Sequence, residues 1–226
     1  MYNKYYIKYN FTMANIKIIQ DNINKLLYSW IIKFVDNIAL DNLNKLYKHA
    51  KKVKYIGHGS DGIVFSISND RVFKLTYDKN EALIYNDMLL NKEKYNKIKN
   101  NIPEVYKVRK INEFLFVIEM KEYKLAIDKD DERIQQMFYL EHFINSRCNY
   151  SKVKKSKFLK DMKVYHNDTS FVEKIIEIID ELKKVGVIYT DVFYKNILTD
   201  GVNIILIDYA KSKVSDQLVN SQIITM

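Results

Sequence analysis

The chain has few of the residues that staple or punctuate a fold. One cysteine, Cys148, stands among 226 residues. That excludes an internal disulfide and fits a reducing compartment, so an intracellular, cytoplasmic setting is expected. The single proline, Pro103, leaves few rigid turns and no proline-rich linker. His49, His58, His142 and His166 lack metal-ligand spacing and have no cysteine cluster beside them, which argues against structural zinc. Long apolar runs are missing too. The densest, Leu26 to Leu40, is too short for a bilayer and is broken by Lys33 and Asp36, and it lacks the layout of a secretory signal. No membrane span is expected. The formal net charge of +9 would suit acidic partners. However, lysine is spread along a chain uniformly rich in Asn, Ile and Tyr, so the charge reads as solvated surface and nucleic acid is not expected as a partner.

Glycine is the scarcest of the conformationally special residues that the chain uses more than once. Of five glycines, three fall within Gly57-His58-Gly59-Ser60-Asp61-Gly62. A glycine costs backbone entropy and is used where a chain must turn tightly or approach another group closely. The flanks Val53, Tyr55, Val64, Phe65 and Ile67 are strand formers on both sides, so the loop is the turn of a hairpin. A dinucleotide fold would run from strand into helix here. An ordinary glycine-rich hairpin is the bland alternative, and only residues far downstream can decide between them.

Taken in order, residues 1–50 are expected to form a loose tail (1–14, with Met13 as an alternative start) and a helical extension. Ile19, Ile23, Leu26, Leu27, Trp30, Ile31 and Phe34 give that extension an apolar stripe; what it binds is not written in the sequence. Residues 51–122 are expected to be a small antiparallel lobe. Its strands are the hairpin 53–67, Arg71–Thr76, Pro103–Val108 and Phe114–Met120, with one helix over 80–90 capped by Asp78 or Asn80. Lys74 sits inside the third strand, where an ammonium group needs a partner. Glu81 and Glu93 are the two carboxylates in reach. Residues 123–226 turn helical, with helices expected over 131–147 and over 170–185, the second ended by Gly186. The lysine-rich stretch 151–163 reads as a solvated loop or short helix. Two short β segments, Ile197-Leu198 and Ile204–Ile207, flank a turn at Asp200-Gly201.

The chemistry is concentrated after Gly186, in Tyr189-Thr190-Asp191-Val192-Phe193-Tyr194-Lys195-Asn196-Ile197-Leu198 and then Leu206-Ile207-Asp208-Tyr209-Ala210. Asp-x4-Asn-Ile-Leu, followed by an apolar strand ending in Asp-aromatic, resembles the catalytic and metal-binding segments of the protein-kinase-like superfamily. With Gly-x-Gly-x-x-Gly-x-Val and Lys74 upstream, the likeness runs over residues 53–210 and is closest to reduced, Rio-type and other small atypical Ser/Thr kinases. It implies an α+β, bilobal protein-kinase-like fold: a five-stranded antiparallel N-lobe with one helix, and a truncated, mainly helical C-lobe without the usual peptide-docking platform.

The resemblance also implies ATP and Mg2+ as cofactors, with roles for particular residues. Gly57, His58, Gly59, Ser60, Asp61 and Gly62 would cover the phosphates, and Lys74 would pair with them while held by Glu81, with Glu93 as fallback. Val64, Val72 and Ile118 would enclose the base, and the backbone of Glu119, Met120 and Lys121 would read its edge. Asp208 and Asn196 would hold metal, and Asp191 would accept the acceptor's proton. Five residues, at three places, depart from the pattern. Tyr189-Thr190 replace His-Arg, so control through a phosphorylated activation loop is not expected. Phe193 stands where Ser/Thr kinases carry lysine, with Lys195 as the substitute catalytic cation, and Tyr209-Ala210 replace Phe-Gly. The expected activity is transfer of the γ-phosphate to a hydroxyl, with a protein serine or threonine as acceptor. A pseudokinase that only binds nucleotide or a partner, and a small-molecule kinase, stay open as alternatives. The histidine-first decoy His166-Asn167-Asp168 is set aside because Glu173, not Asn, follows at the matching distance.

Overall fold

The computed structural model describes residues 54–58, 61–66, 70–128, 131–145 and 152–214. All belong to the second of two units, residues 1–50 and residues 51–226, into which the chain divides. The tail and helical extension expected for residues 1–50, Cys148, and Gly59 and Ser60 of the glycine loop lie outside the described residues.

Five antiparallel strands form the first layer, in the order β1-β2-β3-β5-β4. They are β1 (Lys54–His58), β2 (Gly62–Ser66), β3 (Arg71–Thr76), β4 (Val105–Asn112) and β5 (Leu115–Lys121). The two most continuously buried strands, β3 and β5, are adjacent in the sheet, and both of their faces are covered. Phe65 stacks on Phe73 across the β2–β3 pair with ring centroids 5.0 Å apart, a cross-strand contact of the kind that fixes register. Gly62 is required by the sheet itself. A Cβ there would lie 2.3 Å from the Leu75 carbonyl oxygen, so only glycine lets β2 start this close to β3.

Helix α1 (Lys79–Leu90) crosses this layer and is buried from Glu81 to Met88. Asp78 caps it, accepting the Glu81 N–H at 2.7 Å, the usual means of satisfying a first-turn donor. A 3-10 segment, Lys92–Ile98, follows. Its clasp is Asp87, which accepts hydrogen bonds from Asn91 Nδ2 at 2.7 Å, Lys94 Nζ at 2.7 Å and the Tyr95 hydroxyl at 2.5 Å.

The rest is mainly helical: α2 (Arg133–Asn145), α3 (Lys152–Tyr165) and α4 (Ser170–Lys184). The lysine-rich stretch expected as a loop or short helix is the full helix α3, and this corrects the sequence reading. Lysine is a good helix former, and Phe158, Leu159 and Met162 fall on one face. Phe158 stacks on Phe143 of α2 at 4.3 Å, Met162 is buried, and Lys155 pairs with Asp180 of α4 at 2.5 Å. Val172, Ile175, Ile176, Ile179 and Leu182 put α4 into one core with α1 and the β4–β5 pair. Gly186, at φ 88°, ends α4 in the left-handed conformation that glycine adopts at no steric cost.

Three two-residue strands escaped the sequence, because alternation cannot be read over so short a span. β6 (Lys124–Leu125) pairs with β8 (Ile197–Thr199), which forms a hairpin with β9 (Ile204–Leu206). β7 (Val187–Ile188) pairs with β10 (Lys213–Val214). The architecture is α+β and bilobal: a five-stranded sheet with one crossing helix, then a helical lobe carrying the short hairpins. Among the described residues, no helix is long and apolar enough to cross a membrane.

The Asp87 clasp sets how α1 leaves the sheet. Asp87→Ala would leave the buried Tyr95 hydroxyl without its acceptor and should cost about 2–3 kcal/mol. Urea unfolding measures this, and a loss under about 0.5 kcal/mol would show that the clasp does not hold the segment.

Candidate active site

Lys74 is 7% exposed, and its partners come from two other elements. Its Nζ lies 2.6 Å from Glu81 Oε1 on α1 and 2.8 Å from Asp208 Oδ1 beyond β9, the latter across 134 residues of chain. The Asp78 cap fixes the first turn of α1 and so points Glu81 at the strand. Glu81, not Glu93, is therefore the carboxylate at Lys74. Glu81 Oε1 also accepts the Tyr209 N–H at 3.2 Å, and Oε2 is buried as well. Burial pushes the Glu81 carboxyl up to about 7 against the pull of Lys74. Burial also disfavours the Lys74 ammonium, but its two carboxylates outweigh that and hold its pKa above the ordinary lysine value. One ammonium serving two acids stays protonated, and the fully buried acid is the one whose ionisation is resisted.

The hairpin β8–β9 delivers Asp208. Its register pairs Ile197 with Leu206, and the Ile207 N–H donates to the Asn196 carbonyl at 3.0 Å, so Asn196 and Asp208 emerge at the same end. Asp208 has φ 61°, the one positive φ among the described non-glycine residues. Such a conformation persists only where the surroundings over-determine it. Three buried tyrosines do so. The Asp208 N–H donates to the Tyr85 hydroxyl at 3.3 Å, and the Tyr189 hydroxyl donates to the Ile207 carbonyl at 2.7 Å. The Tyr209 ring meets both Tyr85 (5.3 Å, 88°) and Tyr189 (5.2 Å, 67°) edge-on, and its hydroxyl donates to the Leu206 carbonyl at 3.0 Å. Burial raises all three phenol pKa values, so these groups stay neutral, Tyr189 and Tyr209 as donors and Tyr85 as an acceptor.

Asp191 and Asn196 lie in the loop between β7 and β8. The Asn196 amide donates through Nδ2 to the Asp191 backbone carbonyl and to its Oδ2, both at 3.1 Å. That leaves the amide oxygen of Asn196 for a cation. Lys195 does not stand at Asp191: its ammonium lies 5.9 Å from the ring centres of Phe193 and of Tyr194. The lysine at Asp191 is Lys211, with Nζ 3.2 Å from both carboxylate oxygens. No spacing motif marks Lys211 in the sequence, and only the approach of the Asp208 loop to the Asp191 loop reveals it.

The other candidates divide by face. Val64 and Ile118 pair directly with Lys74, and Val72 pairs with Met120 two residues away, so all four share the Lys74 face of the sheet. Glu119 pairs with Phe73 on the opposite face, and its carboxylate binds Arg71 at 3.1 Å. Glu119 and Met120 are laddered to β3 on one side and β4 on the other. Backbone outside both ladders begins beyond Lys121, further along than the sequence suggested. Gly57 and His58 close β1 opposite Val64 and Ile63, with an irregularity between Tyr55 and Gly57. A Cβ at Gly57 would meet nothing within 4 Å, so open space lies over that glycine, unlike Gly62. The Asp61 carbonyl accepts from the Tyr77 N–H at 3.1 Å and from Thr76 Oγ1 at 3.0 Å. The decoy Asp168 accepts the Ser170 N–H at 2.9 Å at the start of α4.

Strand order, the Lys74–Glu81 pair and the Asp191, Asn196 and Asp208 loops now stand together. The fold is protein-kinase-like. No protein-family profile matches the sequence, and no curated protein matches it. Among solved structures, the chain is similar to the GDP complex of wild-type aminoglycoside 2'-phosphotransferase-IIIa, at 14% identity over 77% of this chain and 72% of that one, TM-score 0.41. Aminoglycoside phosphotransferase APH(4)-Ia gives 13% identity over 80% and 73%, TM-score 0.41. The Cydia pomonella granulovirus kinase PK-1 gives 10% over 78% and 60%, TM-score 0.40. The fold assignment rests on the geometry above and not on these likenesses.

For Mg2+, the kinase-like fold offers hard oxygen donors of the right kind, the Asp208 carboxylate and the Asn196 amide oxygen. No cluster of three or more His, Cys, Asp or Glu exists among the described residues. Mg2+ requires no such cluster, since it takes one or two protein oxygens and completes its shell with phosphate and water.

Folding raises the proton affinity of Glu81 from the ordinary 4.5 to about 7. Between those values the folded chain holds a proton that the unfolded chain has released, so stability falls as pH rises through the window. Urea unfolding from about pH 5 to about pH 8 should show this loss in the native chain and a flatter profile in Glu81→Gln. An identical slope in both would refute the assignment.

Proposed function

We propose that the chain is an ATP-dependent phosphotransferase that uses Mg2+ and delivers the γ-phosphate to a hydroxyl, that of a serine or threonine in a protein. The observation that carries this reading is the buried Lys74 ammonium held between Glu81 at 2.6 Å and Asp208 at 2.8 Å. It joins a cation suited to phosphate oxygens to a carboxylate suited to a metal. Phosphoryl transfer asks a protein mainly for positioning and for charge screening, and these groups supply both.

In this reading Lys74 binds the α- and β-phosphates, oriented by Glu81, and stabilises the departing diphosphate. Asp208 and Asn196 would hold Mg2+, whose charge screens the phosphate oxygens. Asp191 accepts the acceptor's hydroxyl proton as the acceptor oxygen bonds to phosphorus and the bond to the bridging oxygen breaks, ADP keeping the electron pair. Asn196 keeps the Asp191 carboxylate oriented through its 3.1 Å hydrogen bond. Val64, Val72 and Ile118 offer an apolar surface to the base. A module that only binds nucleotide needs Lys74 and Asp208 but has no use for an oriented base, so the Asp191–Asn196 pair favours transfer over the pseudokinase reading.

The test is labelling from γ-labelled ATP with a basic protein, with an acidic casein-like protein and with no acceptor, beside thermal stabilisation by MgATP. Asp208→Ala should abolish Mg2+-dependent stabilisation. Asp191→Ala should keep it and lose transfer by about 10²- to 10⁴-fold. Stabilisation without labelling in the native chain would reduce the protein to a nucleotide-binding module, and neither response would end the reading.

A further inference from the structure

Charge accumulating on the equatorial oxygens during phosphoryl transfer is stabilised by cations, and neither position where the sequence suggested an acceptor-side cation holds a lysine paired with Asp191. Position 193 is phenylalanine. The Lys195 ammonium sits over Phe193 and Tyr194, 5.9 Å from each ring centre, and Lys74 is buried on the far side between Glu81 and Asp208. Lys211 is the cation at Asp191, 3.2 Å from each carboxylate oxygen.

The backbone around Lys211 is held at three points. The Thr190 hydroxyl donates to the Lys211 carbonyl at 2.9 Å. The Ser212 N–H closes a turn on the Tyr209 carbonyl at 2.9 Å. Lys213 then pairs with Ile188 in the β10–β7 ladder. In contrast, the side chain is 60% exposed. A fixed base with an exposed ammonium is what a group needs if it is to swing from one anion to another.

Resting on the phosphotransferase reading, we infer that Lys211 is a catalytic residue, the cation that leaves Asp191 to meet the phosphoryl group in transit. An acceptor oxygen must come within about 2.6–3.2 Å of Asp191 and about 3–3.5 Å of the phosphorus. The phosphorus therefore lies within about 7 Å of the Asp191 oxygens, a distance that side-chain rotation of Lys211 spans. The balance of the step is simple. The acceptor O–H breaks and its proton passes to Asp191. The acceptor oxygen bonds to phosphorus, and the bond to the bridging oxygen breaks with its electron pair going to ADP. Lys211 stays protonated throughout and donates hydrogen bonds to the equatorial phosphoryl oxygens, where charge accumulates. Exposed ion pairs add little to stability, so the Lys211–Asp191 contact is not explained as a fold-holding one.

The experiment compares the full native chain with Lys211→Ala, Lys211→Arg and, as a charge control, Lys213→Ala. Calorimetry measures binding of ADP and of a non-hydrolysable ATP analogue with Mg2+, and labelling measures transfer to the two acceptor proteins. Lys211→Ala should leave ADP affinity and urea unfolding unchanged and weaken the analogue about fivefold. It should also lower transfer turnover about 10- to 100-fold, with most of that restored by Lys211→Arg and none of it lost in Lys213→Ala. An unchanged analogue-to-ADP ratio in Lys211→Ala would overturn the assignment, whether both nucleotides weaken together or neither does. If the native chain binds nucleotide but labels neither protein, the phosphotransferase reading fails and this assignment falls with it. If the native chain binds neither nucleotide, the phosphotransferase reading fails first and this assignment falls with it.

Discussion

A buried ammonium group cannot be left alone, and the organisation of this molecule follows from that constraint. Lys74 enters the sheet inside a buried central strand, where desolvation would deprotonate an isolated lysine. Glu81 and Asp208 keep it charged, and each has to be brought there by a different element. Asp78 caps α1 so that Glu81 faces the strand, and the β8–β9 hairpin brings Asp208 across 134 residues. The three charges thus tie sheet, helix and helical lobe at one point. Removing one partner would leave another buried and unpaired, the costly outcome for buried ions.

The residues that depart from the kinase pattern occupy supporting positions, and each makes a specific contact there. Tyr189, in place of histidine, reaches the Ile207 carbonyl, and Thr190, in place of arginine, bonds the Lys211 carbonyl. Tyr209, in place of phenylalanine, fills the space between Tyr85 and Tyr189 and anchors its hydroxyl on Leu206. Together they hold Asp208 at φ 61°, a conformation that an L-residue adopts at a cost of about 1–2 kcal/mol. Random drift would be expected to leave unsatisfied phenols in such a buried cluster. The hydroxyls of Tyr85, Tyr189 and Tyr209 are all hydrogen-bonded.

Local periodicity made the sheet legible in the sequence. Each of its five strands has enough residues to show alternation or a continuous apolar run, and α1 and α4 announce themselves through caps and spacing. Elements governed by long-range contact were not legible. Helix α3 hid its Phe158, Leu159 and Met162 face behind lysines. The strands β6, β7 and β10 have two residues each and exist only because partners arrive from elsewhere. Gly62 looked like a phosphate-approach glycine, yet the Leu75 carbonyl beneath it already excludes a side chain. Lys195 lay within the motif and Lys211 outside it, but the chain path from Asp208 back towards Thr190 puts Lys211 at Asp191. Linear spacing cannot encode which of two lysines a folded loop presents.

Both carboxylates assigned to chemistry carry a lysine: Asp208 has Lys74 at 2.8 Å and Asp191 has Lys211 at 3.2 Å. These two pairs differ in what holds the cation. Lys74 is almost fully buried and stays anchored by Glu81 if Asp208 turns to a metal, so its position survives the exchange. Lys211 is held at its side-chain end by Asp191 alone among the described residues, and being exposed it loses little by leaving. In the proposed reading a triphosphate would compete for both ammonium groups with anionic charge of its own, so each lysine would trade one anion for another without a change in protonation. That trade would free Asp208 for a cation and Asp191 for a hydroxyl in the same event. One buried and one exposed lysine would thereby couple nucleotide seating to exposure of the base through charge balance.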